Sequence, residues 1–424
     1  MKPLRILHVC TSDKVGGAAR AAHRLHLAQR EGGMDSHMLV LHRTEPSPYV
    51  HAPLSKPAQL AQRLKLALSV RTLERQQTPS NPVLHSMNRF NSGLGRWINR
   101  SDFDIVNLHW LGAEMLSIDE IGRIRQPVVW TMHDMWPFCG AEHYDDLDHP
   151  GRYLQGYTTA SRSSTYQGAD IDARVWRHKE KAWAGKRFHL VSPSQWLAGC
   201  ARQSSLMGQQ PCTVIPNCVD TRVFKPLDRN LARQILNLDP DKRYILFGAM
   251  ASTSDRRKGF HLLQSALKQL AVRDSIGHNT ELLIFGASAP EQLIDLGLPA
   301  HYMGHLHDDI SLALLYAAAD VFAAPSMQDN LPNTLVEAMA CGTPCVAFAL
   351  GGMPDLIEPQ STGALARPFE VADFCDALAS MLQHPPARET IRQAAAERYS
   401  PAQAAQRYEQ VYALATTART CSSP

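Results

Sequence analysis

The segment from Pro325 to Pro344, PSMQDNLPNTLVEAMACGTP, gathers residue types that could hold an anionic, hydroxyl-bearing ligand. It follows a short apolar run, passes through polar residues and enters a helical pattern at Pro332 or Asn333. Proline suits a first helical turn, where its missing N–H has no partner in any case. The open N–H groups at Asn333 and Thr334, with the positive end of the helix dipole, would face whatever lies beyond the strand, which favours a phosphate or diphosphate. Asp329 lies in the loop before that helix and Glu337 one to two turns inside it. Two carboxylates make poor phosphate ligands but good acceptors for sugar hydroxyls. The same acids could also be an N-terminal charge and an ordinary helix-face residue.

A second candidate is Gly16-Gly17, between the apolar run Arg5–Cys10 and an Ala-rich helical stretch closed by Gly32-Gly33. That order brings backbone N–H groups to an anion in many α/β folds, and it is equally the form of a plain tight turn. Nine cysteines are scattered without a CxxC pair, and no histidines fall at metal-ligand spacing along the chain. Neither a structural zinc nor a disulfide framework is expected.

These residues need a scaffold, and 424 residues are too many for one ordinary core. Strand candidates in the first half are Arg5–Cys10, Ser36–Leu41, Ile105–His109, Pro127–His133 and His189–Pro193, alternating with helical stretches. A second series, Tyr244–Gly248, Leu282–Phe285, Asp320–Ala324 and Pro344–Phe348, follows a proline-marked stretch near residue 215 that reads as a linker. The expected organisation is an N-terminal Rossmann-like domain over 1–215, a C-terminal one over 216–398, and a helix with a frayed polar tail over 399–424 that crosses back to the first domain. Residues 45–100 read as an insertion rather than sheet, rich in proline, and within it 51–100 carry eight Lys/Arg against the single acid Glu74. Within it Leu60, Leu64, Ala67, Leu68 and Leu73 recur near helical spacing among Arg63, Lys65, Arg71 and Arg75. Such a helix can lie on an anionic membrane surface or pack on its own domain. A net charge of +3 gives no case for nucleic acid, and no run approaches a membrane span. The expected location is cytoplasmic, with peripheral attachment to the inner face of the cytoplasmic membrane as an option.

The segment SMQDNLPNTLVEAMACGTPCVAF, followed by Gly351-Gly352, resembles the donor-site signature of the retaining glycosyltransferase family four, in which two glutamates are separated by seven residues. The resemblance implies α/β architecture of the GT-B type, two facing Rossmann-like doubly wound domains with a C-terminal helix. The second glutamate falls on Glu337, whose family role is to hold ribose hydroxyls. The first falls on Asp329, one methylene shorter, whose family role is contact with the donor sugar. TMHDMWPFCGAEHY is similar to a segment of polysaccharide-assembling members and puts His133 at a position that contacts the donor sugar. ASTSDRRKGFHLL resembles the family's basic loop, so Lys258 would contact the diphosphate; the usual arginine falls on Thr253, for which Arg256 or Arg257 could substitute. HYMGHLHDDISLALLYAAADVFAAPS places His305 and Leu306 beside the nucleotide base, with His307 not a metal partner of His305. Asn330, Leu331, Asn333 and Thr334 complete the donor loop, and Gly16 and Gly17 approach the diphosphate or the acceptor. The implied activity is retaining transfer of a sugar, of hexosyl type, from a nucleotide-sugar donor to a saccharide or lipid-linked acceptor in cell-surface polysaccharide biosynthesis. No metal or other cofactor is implied, and domain closure would assemble the site. A sugar-nucleotide epimerase of the same fold and a silent nucleotide-sugar-binding scaffold are the alternatives.

Overall fold

Runs such as VVWT at 128–131, VFAA at 321–324 and CVAF at 345–348 show no polar alternation and are buried along their whole length. Strands of this kind must be covered on both faces, which parallel sheets flanked by helices provide. The computed structural model describes residues 4–75, 83–248, 255–273, 276–289, 294–306 and 308–420, with 418–420 described through their backbone alone. The first sheet contains β1 (Arg5–Val9), β2 (Asp35–Leu39), β3 (Val50–His51), β4 (Ile105–Leu108), β5 (Val128–Thr131), β6 (Phe188–Ser192) and β7 (Cys212–Val214). The second contains β8 (Arg243–Gly248), β9 (Thr280–Phe285), β10 (Ala300–Tyr302), β11 (Val321–Ala324), β12 (Cys345–Phe348) and β13 (Gly363–Ala366).

The spatial orders are β3-β2-β1-β4-β5-β6-β7 and β10-β9-β8-β11-β12-β13. Every pairing within them is parallel. Strand order therefore reverses between β1 and β4 in one sheet and between β8 and β11 in the other. In doubly wound sheets a ligand crevice opens beyond the C-terminal ends of the two strands at such a reversal. The loops after β1, β4, β8 and β11 border those crevices.

Two compact units carry these sheets, one of residues 1–215 with 402–424 and the other of 216–401. In the first, Trp130 meets Trp183 and Phe188 edge-on at 5.4 and 5.5 Å between ring centroids. The helix Pro401–Thr420 returns to this unit, where the Tyr412 hydroxyl accepts hydrogen bonds from Gln29 Nε2 at 3.0 Å and Asn107 Nδ2 at 2.9 Å. In the second, Tyr316 packs edge-on against Phe285 and Phe322 beneath the helix Asn333–Ala340.

Two readings of the sequence need correction. Residues 45–100 contribute to the sheet after all, because Val50–His51 pairs with β2 as a short edge strand, below the length that apolar patterning reveals. The stretch near residue 215 spans the boundary between the two units, and in it Val219 and Phe224 are fully buried and the Val219 N–H donates to the Tyr399 carbonyl. The terminal helix continues through Thr420, with the Thr416 and Thr417 hydroxyls donating to the Ala413 carbonyl, and 421–424 of the expected polar tail lie outside the described residues.

Candidate functional site

In the second unit the loops after β8 and β11 converge at the strand-order reversal. The loop from β8 returns as a single tight turn, Arg256–Lys258, followed by Gly259 at φ +69°. A Cβ on Gly259 would lie 1.9 Å from the Pro325 carbonyl oxygen, so only glycine lets this turn seat against the end of β11. The Met327 N–H donates to the Arg257 carbonyl at 2.7 Å and joins the two loops. The result is an ion pair between Lys258 Nζ and Asp329 Oδ2 at 2.6 Å, both side chains mostly buried. Asp329 Oδ1 accepts from the Asn330 N–H at 2.9 Å. On the far side, Gly351 has φ +56° and its Cβ would fall 2.3 Å from the Asp329 carbonyl, which accepts the Gly352 N–H. Glycines on both flanks thus fix where Asp329 sits.

The helix Asn333–Ala340 starts directly after, with Pro332 at its N-cap and no side chain capping its first turn. Its leading N–H groups are therefore not claimed by a cap side chain, the condition under which a helix end receives an anion. Asn333 Oδ1 accepts from Asn217 Nδ2 at 3.0 Å. Glu337 is buried on the inner face, where its Oε2 accepts from the Tyr316 hydroxyl at 2.9 Å. Leu331 and Asn330 are buried, Thr334 half-buried. Arg257 is drawn to Asp255 at 2.6 Å, whereas Arg256 is exposed. His305 is exposed and Leu306 rests on the core. Thr253 and His307 lie outside the described residues.

In the first unit, Gly16 takes φ +97° to turn the chain from β1 into the helix Gly17–Glu31, and among the described residues nothing lies within 4 Å of where its Cβ would be. His133 follows β5 and joins a run of polar groups that no local motif announced. His133 Nε2 is 3.0 Å from His109 Nδ1, His109 Nε2 is 2.9 Å from His8 Nδ1, and His8 Nε2 is 2.8 Å from Gln29 Oε1. Gln29 spends its amide N–H on Tyr412, so its oxygen must accept from His8. His8 and His109 then each donate from Nε2 and accept at Nδ1, and His133 donates from Nε2, which puts its ring proton there when the ring is neutral. Burial pushes His8 and His133 down to about 4 and His109 well below the usual histidine range, so the chain stays neutral near pH 7.

The segment after His133 is held from beneath by Lys179. Its fully buried amino group donates to the carbonyls of Trp136, Cys139 and Gly140 and lies 3.7 Å from the Trp136 ring centroid. Desolvation lowers this lysine to about 7.

A family model described as Glycosyltransferase Family 4 matches residues 15–223, and one described as Glycosyl transferases group 1 matches residues 241–384. The chain belongs to glycosyltransferase family four. A curated relative of this family-four chain, the D-inositol 3-phosphate glycosyltransferase of Mycobacterium tuberculosis, is 34% identical over 188 residues. That match covers 42% of the chain and only 38% of the relative's length. Among solved structures, a sucrose-phosphate synthase from Thermosynechococcus elongatus superposes with TM-score 0.65 at 17% identity, covering 98% of this chain and all of that one. Anabaena HepE in complex with UDP-glucose gives 0.61 at 18% identity, over 97% of this chain and 99% of the other. The fold is accordingly GT-B.

Proposed function

We propose that this family-four chain transfers a sugar from a nucleoside diphosphate sugar to a saccharide or lipid-linked saccharide acceptor, with retention at the anomeric carbon. The observation that carries this reading is the Lys258–Asp329 pair at the strand-order reversal, directly before an uncapped helix start with Glu337 buried inside it. Lys258, one of Arg256 and Arg257, and the N–H groups at Asn333 and Thr334 supply positive potential for the leaving diphosphate, so charge growing in the transition state meets fixed donors. No metal is assigned to that step. Asp329 and Asn330 face the sugar, Glu337 takes the ribose hydroxyls, and His305 and Leu306 flank the base. Binding of the diphosphate gives Lys258 a second anionic partner beside Asp329. In the first unit, Gly16 and Gly17 serve the diphosphate or acceptor, and His133 offers its neutral ring to the sugar.

A uridine diphosphate sugar is the first donor to test, because HepE is solved with UDP-glucose. Slow release of nucleoside diphosphate without acceptor from one of UDP-, GDP- or ADP-sugars is the expected result. Conversion of the donor sugar without release would indicate an epimerase, and neither change with any donor would indicate a scaffold.

The acceptor side rests on the helix Lys56–Leu73. It is held to the unit by Gln62, Ser69 and Leu73: Gln62 donates to the Glu114 carbonyl and Ser69 Oγ to Glu114 Oε1 at 2.8 Å. The stripe of Leu60, Leu64, Ala67 and Leu68 therefore faces outward, its leucines 60%, 60% and 56% exposed, with Arg63, Arg71 and Arg75 exposed beside it. Apolar and basic groups on one open face match an anionic lipid surface, where a lipid-linked acceptor would reside. Among the described residues no helix is long and apolar enough to cross a membrane.

A further inference from the structure

Outside the residues assigned above, the first unit contains a second constellation built from three distant parts of the chain. Residues 84–86 and 141–143 pair as a short antiparallel ladder, with the Ser86 N–H on the Ala141 carbonyl at 2.7 Å and the His143 N–H on the Leu84 carbonyl at 2.9 Å. His85 and Glu142 form the bridge at its centre. The helix Ile171–Ala182 presents Asp172 to the same spot, and the Ala141 N–H donates to Asp172 Oδ1 at 3.3 Å. Gly140 permits that approach, since a Cβ there would come within 2.6–2.7 Å of the Asp172 backbone. One ligand atom from each of His85, Glu142 and Asp172 lies within 4.8 Å of the others, and all three side chains are buried.

The chemistry of the facing atoms is what matters. His85 Nδ1 is 2.6 Å from the Val83 carbonyl and must donate to it, so Nε2 presents a lone pair, 3.7 Å from Asp172 Oδ1. Glu142 Oε1 accepts from the Tyr157 hydroxyl, while Oε2 is buried and, among the described residues, has no hydrogen-bond partner. Arg152 bonds Asp170 at 2.7 Å and acts on Glu142 and Asp172 through space, and Lys179 bonds three carbonyls. An imidazole lone pair and two carboxylates thus converge in one buried space. A backbone carbonyl fixing the ring's other nitrogen is also how proteins orient a metal-binding imidazole.

We propose that His85, Glu142 and Asp172 bind one divalent transition metal ion of the zinc class, with water completing the coordination. An imidazole and two carboxylates suit that class, and tetrahedral bonds of about 2.0–2.1 Å put ligand atoms roughly 3.4 Å apart, close to the observed 3.7 Å. The ion joins the 84–86 strand, the 139–143 segment and the helix Ile171–Ala182, and so braces the segment that follows His133. Scattered ligands, fifty-seven residues apart at the first gap and thirty at the second, explain why no spacing motif announced it.

The test is metal analysis of the full chain purified without nickel, followed by thermal unfolding after chelation and after adding Zn2+ alone. All seven tryptophans lie before residue 216, so their fluorescence reports on the unit concerned. About one equivalent of metal, or a rise of several degrees in Tm saturating at one Zn2+ per chain, is expected. The rise should vanish in His85→Gln and in Glu142→Gln. Metal-free protein indifferent to Zn2+ would overturn the site and leave a proton shared between the carboxyls as the bridging cation; so would an equal rise in either folded variant. If neither variant folds, X-ray absorption of the zinc-loaded wild type decides, a nitrogen and oxygen shell supporting the site and a sulfur-containing one refuting it.

Discussion

The substitution His8→Gln isolates one link of the histidine chain. A primary amide carries an acceptor and a donor at about the separation of the two ring nitrogens, so the substituted side chain can accept from His109 and donate to Gln29 but cannot titrate. In the wild type, His8 is held down to about 4 by burial, against 6.5 in an unfolded chain. Below pH 6.5 the unfolded state binds the extra proton and the folded state does not, so stability falls as pH drops from 6.5 towards 4 and is fully retained above that window. Each pH unit across it costs about 1.4 kcal/mol, which gives about 2.5 kcal/mol by pH 4.5 once rounding at the ends is allowed for. At pH 8 the variant should be less stable by about 1 kcal/mol from imperfect packing and one altered hydrogen bond. The difference should then reverse, with the variant more stable by about 1–2 kcal/mol at pH 4.5. Urea midpoints followed by tryptophan fluorescence at half-unit pH steps measure it. A wild-type-minus-variant difference that stays flat from pH 8 to 4.5 would mean that His8 titrates alike in both states, and the neutral relay behind the His133 tautomer would be wrong.

Other outcomes follow from the second unit and the exposed helix. Gly259→Ala should lower Tm and turnover together, because the left-handed backbone costs about 1–3 kcal/mol and the new methyl meets the Pro325 carbonyl; unchanged values would detach the turn from the site. Lys258→Ala should lower Tm by a few degrees, because Asp329 loses its mostly buried partner, and cut turnover tenfold or more, and full activity would remove it from the diphosphate. Glu337→Gln should weaken nucleoside diphosphate binding by about 1.5–3 kcal/mol in calorimetry, whereas Asp329→Asn should spare that binding and reduce transfer. The protein should bind anionic vesicles at low salt and lose binding in an Arg63, Arg71, Arg75 to Gln triple variant; indifference to vesicles would return that face to solvent or to another copy of the chain.

The parallel sheets were legible because buried strands such as VVWT and VFAA have no other home, and their helices end where glycine or proline intervenes. Strands β3, β7, β10 and β13 were not, being two to four residues long and all at sheet edges, with GALA also lacking a β-branched residue. Asp329 and Glu337 stand out as acids in an otherwise acid-free stretch of an apolar neighbourhood. His8 and His109 do not, since each is a single polar letter inside a strand pattern and acquires meaning only when β1 and β4 pair. Lys179 reads as one base among several in RVWRHKEK, yet it is the one turned fully inward. Contacts across a hundred residues are topological facts, and local spacing carries no trace of them.

The tyrosines at 408 and 412 have a consequence for synthesis. A ribosome releases the chain from its first residue onward, and Thr131, Asn107 and Gln29 emerge long before the hydroxyls they bond. The unit formed by 216–401 is contiguous and can close as soon as its own residues are out. The unit that begins the chain must instead wait for the helix Pro401–Thr420, holding open a polar seam beside β1, β4 and β5 throughout translation of the other. Its final step is the docking of a helix made after the whole of the other unit, so the segment synthesised earlier of the two is the later to be finished.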